Sequence, residues 1–182
     1  MLSEINFFGI FWLIALFGVA NMAPVFCINI PFLKCSVDCG KSWRGKRIFG
    51  ENKTWRGILA ATVLGFLFFI IQRQLFIESN FFLRVSLFDY QVVPWFYGFF
   101  IGLGAILGDL IKSFFKRRAN LAPGHSWIPF DQIDYLIGGM IALEPFYRPD
   151  IFAFFLIILF GFVLHLFVKF IGYILKISDK KI

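Results

Sequence analysis

Three aspartates and the basic residues beside them carry the strongest chemical signal in the sequence. Asp109 closes one long apolar stretch, and Asp131 and Asp134 open the next. Ionisable groups at such places are costly and mark function by default. Asp131 and Asp134 stand three residues apart, which puts them on one face of a helix. Close carboxylates repel one another unless positive charge sits between them. No histidine cluster or thiolate set accompanies them, and oxygen-only ligands select a hard cation, with Mg²⁺ the usual choice where phosphates complete its shell. Lys112, Ser113, Lys116 and Arg117 follow Asp109, paired one helical turn apart, and supply a phosphate-binding side. Acids and bases together suit a metal-bound polyphosphate. A second basic element, Gly50-Glu51-Asn52-Lys53-Thr54-Trp55-Arg56-Gly57, precedes another apolar stretch. Lys53 and Arg56 can bind phosphate oxygens there, and Thr54 can donate a hydrogen bond.

Membrane helices must position these groups. Of 182 residues, 59% are hydrophobic and 16% charged, and mean hydropathy is +0.79. That balance excludes a disordered chain and argues against a soluble globule, which could not cover so much apolar surface. The expected fold is all-α, a polytopic membrane helix bundle forming one domain over residues 1–182. Apolar runs place about five spans at 7–30, 57–77, 93–111, 132–148 and 151–176, joined by long loops at 31–56 and 112–131. Asn21 and Pro24 should break or kink the first span, and the fourth is short. The abundant phenylalanines (28) read mainly as lipid-facing bulk. The N-terminus lacks the basic flank and small-residue site of a cleavable secretory signal.

Fifteen of the 18 Lys and Arg residues fall on one side of this arrangement, with only Arg73, Arg84 and Arg148 on the other. The positive-inside rule then puts the N-terminus outside, the C-terminus in the cytoplasm, and both basic loops on the cytoplasmic face of the cell membrane.

Competing motifs are weaker. Gly40-Lys41-Ser42 resembles the end of a P-loop, yet Cys35 stands where a glycine is required and no strand precedes it. Cys27, Cys35 and Cys39 are spaced unlike paired zinc knuckles. His125 and His165 are isolated, and His165 reads as helix packing.

The stretch from Gly108 to Arg118, followed by Pro129-Phe130-Asp131-Gln132-Ile133-Asp134-Tyr135, resembles the hallmark of the CDP-archaeol synthases, small membrane relatives of the phosphatidate cytidylyltransferases. Lys53-Thr54-Trp55-Arg56-Gly57, Arg47-Ile48-Phe49-Gly50 and Val19-Ala20-Asn21-Met22-Ala23-Pro24-Val25 resemble further elements of that family. The resemblance implies transfer of CMP from CTP to a membrane lipid phosphate, such as 2,3-bis-O-geranylgeranylglycerol 1-phosphate, giving a CDP-lipid and pyrophosphate with Mg²⁺ as cofactor. It implies metal binding by Asp109, Asp131 and Asp134. It implies CTP-phosphate contacts by Lys53, Lys112, Lys116 and Arg117, and a nucleotide pocket lined by Asn21 and Pro24. Expected partners are CTP, the lipid held in the bilayer and a second copy in a homodimer, with no nucleic acid. Cys27-Ile28-Asn29-Ile30 departs from the glycine-rich stretch of archaeal members, and the His-Gly-Gly element of the larger phosphatidate enzymes is absent. These departures leave the lipid open, with phosphatidate as the alternative substrate. From other classes, an ion-path protein and a non-catalytic membrane subunit remain alternatives.

Overall fold

The computed structural model describes residues 6–122 and 124–174. Long apolar stretches fold as α1 (Phe7–Phe26), α2 (Trp55–Glu78), α4 (Gly98–Arg118) and α6 (Ile151–Ile174). Between them lie a short hairpin of β1 (Ser42–Trp43) and β2 (Lys46–Arg47), the short helix α3 (Asn80–Val85), and α5 (Phe130–Leu143). Polar residues start several helices: Asn6 accepts from the Gly9 amide, Thr54 from Gly57, and Asp150 from Phe152 and Ala153.

Among the described residues, four helical stretches are long and apolar enough to cross a membrane: 7–26, 55–78, 95–118 and 151–174. The fourth span falls short of the expected 132–148. Helix α5 has 14 residues and stops at Leu143. At 1.5 Å per residue it reaches ~21 Å, against a hydrocarbon core of ~30 Å. The first span also differs from expectation. Helix α1 runs unbroken through Asn21 and Pro24 and ends at Phe26, so Pro24 sits in the last turn, where few residues remain to be disturbed. Helix α4 continues past Ile111 to Arg118, and the connection to α5 is only residues 119–129. Lys112, Ser113, Lys116, Arg117 and Arg118 are therefore helical. Three basic residues in a last turn complement the helix dipole.

Helix α4 is the hub, packed on α5, α2 and α1. Without an internal hydrophobic drive, helices in lipid associate through close contact of small residues. A Cβ at Gly108 would lie 2.1 Å from the Asp134 carbonyl oxygen, and one at Gly138 would lie 2.2 Å from that of Gly104. The two backbones thus meet along Gly104, Gly108 and Gly138, which brings the aspartate of α4 beside those of α5. Gly65 and Gly102 make a similar approach between α2 and α4. Phenylalanine does more than face lipid: Phe17 and Phe69 are fully buried, and Phe66 stacks on Phe99 at 3.9 Å. Gln72, inside α2, is buried but satisfied, donating to the Trp12 carbonyl at 2.7 Å and accepting from the Tyr90 hydroxyl.

Candidate functional site

Asp109, Asp131 and Asp134 converge on one ammonium. Lys112 Nζ lies 2.9 Å from Asp109, 2.9 Å from Asp131 and 2.7 Å from Asp134. Helix geometry accounts for part of this, since Asp109 and Lys112 are three residues apart on α4. The glycine contact accounts for the rest by bringing the start of α5 alongside. Asp109 stands nine residues before the end of α4, because the helix runs on past Ile111 to Arg118. Lys53 also pairs with Asp109, and the Lys116 ammonium donates to both carboxylate oxygens of Asp131 at 3.0 Å. Lys116 also donates to the His125 carbonyl. Three cations therefore face three carboxylates in a largely buried cluster. The Trp127 amide donates to Asp131 at 2.6 Å, and the Ser113 hydroxyl donates to the Asp109 carbonyl at 2.8 Å.

The loop before α2 places Lys53. Backbone contacts pin it: the Val37 amide donates to the Lys53 carbonyl at 2.7 Å, and Ser36 bridges to Thr54. Asp38 organises the remainder by accepting from the amides of Gly40, Phe49 and Gly50 and from the Arg47 guanidinium at 2.6 Å. Burial pushes the Asp38 carboxyl up, but Arg47 and these three amides outweigh it and hold the group far below the usual carboxylate range. Arg118 fastens the hairpin to α4. Its guanidinium donates to the Trp43, Lys46 and Arg47 carbonyls and lies 4.8 Å from the Phe114 ring centre.

A cavity of about 650 Å³ opens beside the cluster. Asn21 and Pro24 from α1, Lys53, Thr54 and Arg56 from the loop and α2, and Asp109, Lys112 and Asp131 all line it. A smaller hollow of about 180 Å³ adjoins it, sharing Lys53 and Lys112 and adding Ser113, Lys116 and Arg117. The expected site residues are thus distributed over two joined hollows, with Asp134 behind them on Lys112. Thr54 has its hydroxyl engaged as the cap of α2, and Arg56 donates to the Ile30 carbonyl. His165 and Lys169, from α6, also line the larger cavity. Sequence reasoning missed this, because an isolated histidine on an apolar helix carries no spacing signal. Asp38 could have been found: Asp-x-Gly is a turn signature in which the side chain caps its own backbone.

Among the described residues, no three His, Cys, Asp or Glu side chains sit close enough together to hold a metal ion as placed. The Lys112 ammonium occupies the point on which the three carboxylates converge. Their all-oxygen donor set is of the kind that suits a hard divalent cation.

A family model described as CarS-like, CDP-archaeol synthase, matches residues 2–181. The CDP-archaeol synthase of Pyrococcus furiosus is 38% identical over 136 residues, covering 74% of each chain. That of Thermococcus kodakarensis is 33% identical over 150 residues, 77% of this chain and 75% of its own. A solved structure described as an intramembrane enzyme for archaeal membrane lipid biosynthesis superposes with a TM-score of 0.68 at 25% identity, covering 87% of this chain and 90% of its own.

Proposed function

The chain belongs to the CarS-like family of CDP-archaeol synthases, and from that premise we propose that it moves CMP from CTP onto an ether-linked lipid phosphate at the Asp109–Asp131–Asp134 cluster. It is a multi-pass membrane cytidylyltransferase that makes a CDP-lipid. The lipid we assign is 2,3-bis-O-geranylgeranylglycerol 1-phosphate, following the archaeol of the relatives' name. The observation that carries the site is the joining of three lysines and three aspartates beside a cavity large enough for a nucleotide.

A lipid phosphomonoester has a second pKa near ~6 and is largely a dianion at neutral pH, so it needs no strong base. Its oxygen attacks the α-phosphorus of CTP. The bond from lipid oxygen to α-phosphorus forms as the α–β bridging bond breaks, and pyrophosphate leaves with the electron pair. The difficulty is bringing two polyanions together. Lys53, Lys112 and Lys116 lower it by neutralising phosphate charge, and Arg117 and Ser113 extend the cationic, hydrogen-bonding wall of the adjoining hollow. Asn21, Pro24 and Arg56 border the nucleoside end of the larger cavity. Thr54 acts by fixing the start of α2 and hence Lys53. Asp109, Asp131 and Asp134 would hold Mg²⁺, which when bound supplies charge neutralisation for the triphosphate.

The cavity mouth belongs, on this reading, to the cytoplasmic face of the cell membrane, where CTP is dissolved, and the positive-inside asymmetry supports it. Lipid and nucleotide then meet at that surface without the lipid leaving the bilayer.

Asp109→Asn tests the assignment. It should lower CMP transfer by about 100-fold or more, the scale of removing one preorganised electrostatic group. Expression and monodispersity should stay unchanged. Wild-type rates in this variant across a Mg²⁺ titration would remove Asp109 from the reaction. Competing the isoprenoid ether lipid against phosphatidate in the same assay decides the lipid.

A further inference from the structure

A separate, apolar groove of about 410 Å³ runs along the junction of α4 and α5. Its walls include Ile111 and Phe115 from α4 and Ile137 and Ile141 from α5, all exposed side chains. In a membrane-spanning chain these face the hydrocarbon. One end is different: Lys112 and Asp134 line it, 2.7 Å apart. Lys112 lines the 650 Å³ polar cavity as well, and its ammonium is the group that Asp109 and Asp131 share there. The Lys112–Asp134 pair is therefore a partition with hydrocarbon on one side and the nucleotide-sized cavity on the other.

The groove selects its occupant by chemistry. Its lining is almost wholly apolar over the stretch from Asp134 to Ile141, ~10 Å at 1.5 Å per residue, and then meets the Lys112–Asp134 ion pair. That pattern complements an amphiphile with a hydrocarbon tail and one anionic head. A neutral lipid offers Lys112 no anion to exchange for Asp134, and a docking protein surface has no polar rim to match on these walls. The close backbone contact at Gly108 and Gly138 forms the floor, so the depth of the groove comes from the same glycines that bring the aspartates together.

We propose that the α4–α5 groove is the berth of one hydrocarbon chain of the lipid phosphate substrate, entered sideways from the bilayer, with the phosphate delivered at the Lys112–Asp134 partition. The assignment rests on the cytidylyl-transfer reading above and names the route by which its lipid arrives. On arrival the phosphate replaces Asp134 as a partner of Lys112, which places the attacking oxygen at the cavity wall.

Filling the groove tests this. Ile137→Trp and Ile141→Trp change exposed positions, and Leu67→Trp on the exposed face of α2 is the control. With a long-chain isoprenoid glycerol phosphate, each groove variant should lose about 10-fold or more in kcat/KM, mostly through KM, the scale of misfit in an apolar pocket. The KM for CTP, and turnover of a short-chain lipid phosphate that does not reach Ile137, should match wild type, as should the control in every assay. Equal losses on long and short chains, or the same loss in Leu67→Trp, would overturn the proposal. A long-chain lipid phosphate with a photoreactive tail gives a readout without turnover. Crosslinks should map to α4 and α5 and fall in Ile137→Trp. Crosslinks confined to α2 or α6, or to a second copy of the chain, would overturn it. Groove crosslinking in a protein that transfers no CMP to any lipid would support the berth and overturn the transfer reading.

Discussion

Lys112 and Asp38 show how single side chains set the site. Lys112 gathers aspartates from two helices, whereas Asp38 gathers a loop. The depressed pKa of Asp38 fixes the sign of its pH dependence. A carboxyl whose folded pKa lies below its unfolded value of ~3.9 contributes fully above that value, and the contribution fades as pH falls through the folded pKa. The stability gap between wild type and Asp38→Asn should therefore be constant from pH 8 down to about pH 5 and narrow only below ~3.9. Limited proteolysis of the 31–54 segment measures it. A gap that widens on acidification would contradict the assignment. The chemical residues were legible because charges are rare in an apolar sequence and stand out with their spacing intact. Asp109, Lys112 and Lys116 announced themselves as one helical stripe. His165, Lys169 and Arg118 did not, because their partners come from elements distant in sequence.

Helices α4 and α5 turn that stripe into a site. The sequence reading ended the third span at Ile111, since an apolar run stops at its first charge. The helix instead carries its basic last turn onward to Arg118, where the dipole favours cations and Arg118 finds carbonyls on the hairpin. The expected twenty-residue loop between the acids shrinks to residues 119–129 for the same reason. The α4–α5 contact was invisible in the sequence, because Gly104, Gly108 and Gly138 read equally well as lipid-facing small residues. Gly108→Ala should destabilise the fold by at least about 1–3 kcal/mol, the range for overpacking, since its methyl would meet the Asp134 carbonyl. Gly172→Ala, with open space around it, should leave thermal unfolding in detergent unchanged. Equal unfolding temperatures for the two variants would contradict the close crossing.

At the scale of the whole molecule, composition made the membrane bundle plain and the fourth span was legible as short, while the continuous α1 had to come from packing. Helix α5 stops at Leu143, where Glu144 and Pro145 follow, since the residue before a proline is biased away from the helical region, and Phe146 then packs on Tyr97 at 4.7 Å. Orientation has a direct test in native residues. Cys35 and Cys39 are exposed in the loop before α2. A membrane-impermeant maleimide should label them in inside-out vesicles and leave intact cells unlabelled. Labelling of intact cells would place the cavity mouth on the outside and remove its access to CTP. The central claim, that the aspartates gathered around Lys112 are where CMP changes hands, is tested most directly with CTP labelled at its α-phosphorus and the purified protein in lipid. The wild-type protein should pass label into the lipid phosphate with one pyrophosphate released per transfer. Asp131→Asn, folded and unfolding at a similar temperature, should do so about 100-fold more slowly or less. Undiminished label transfer by that variant would contradict the account.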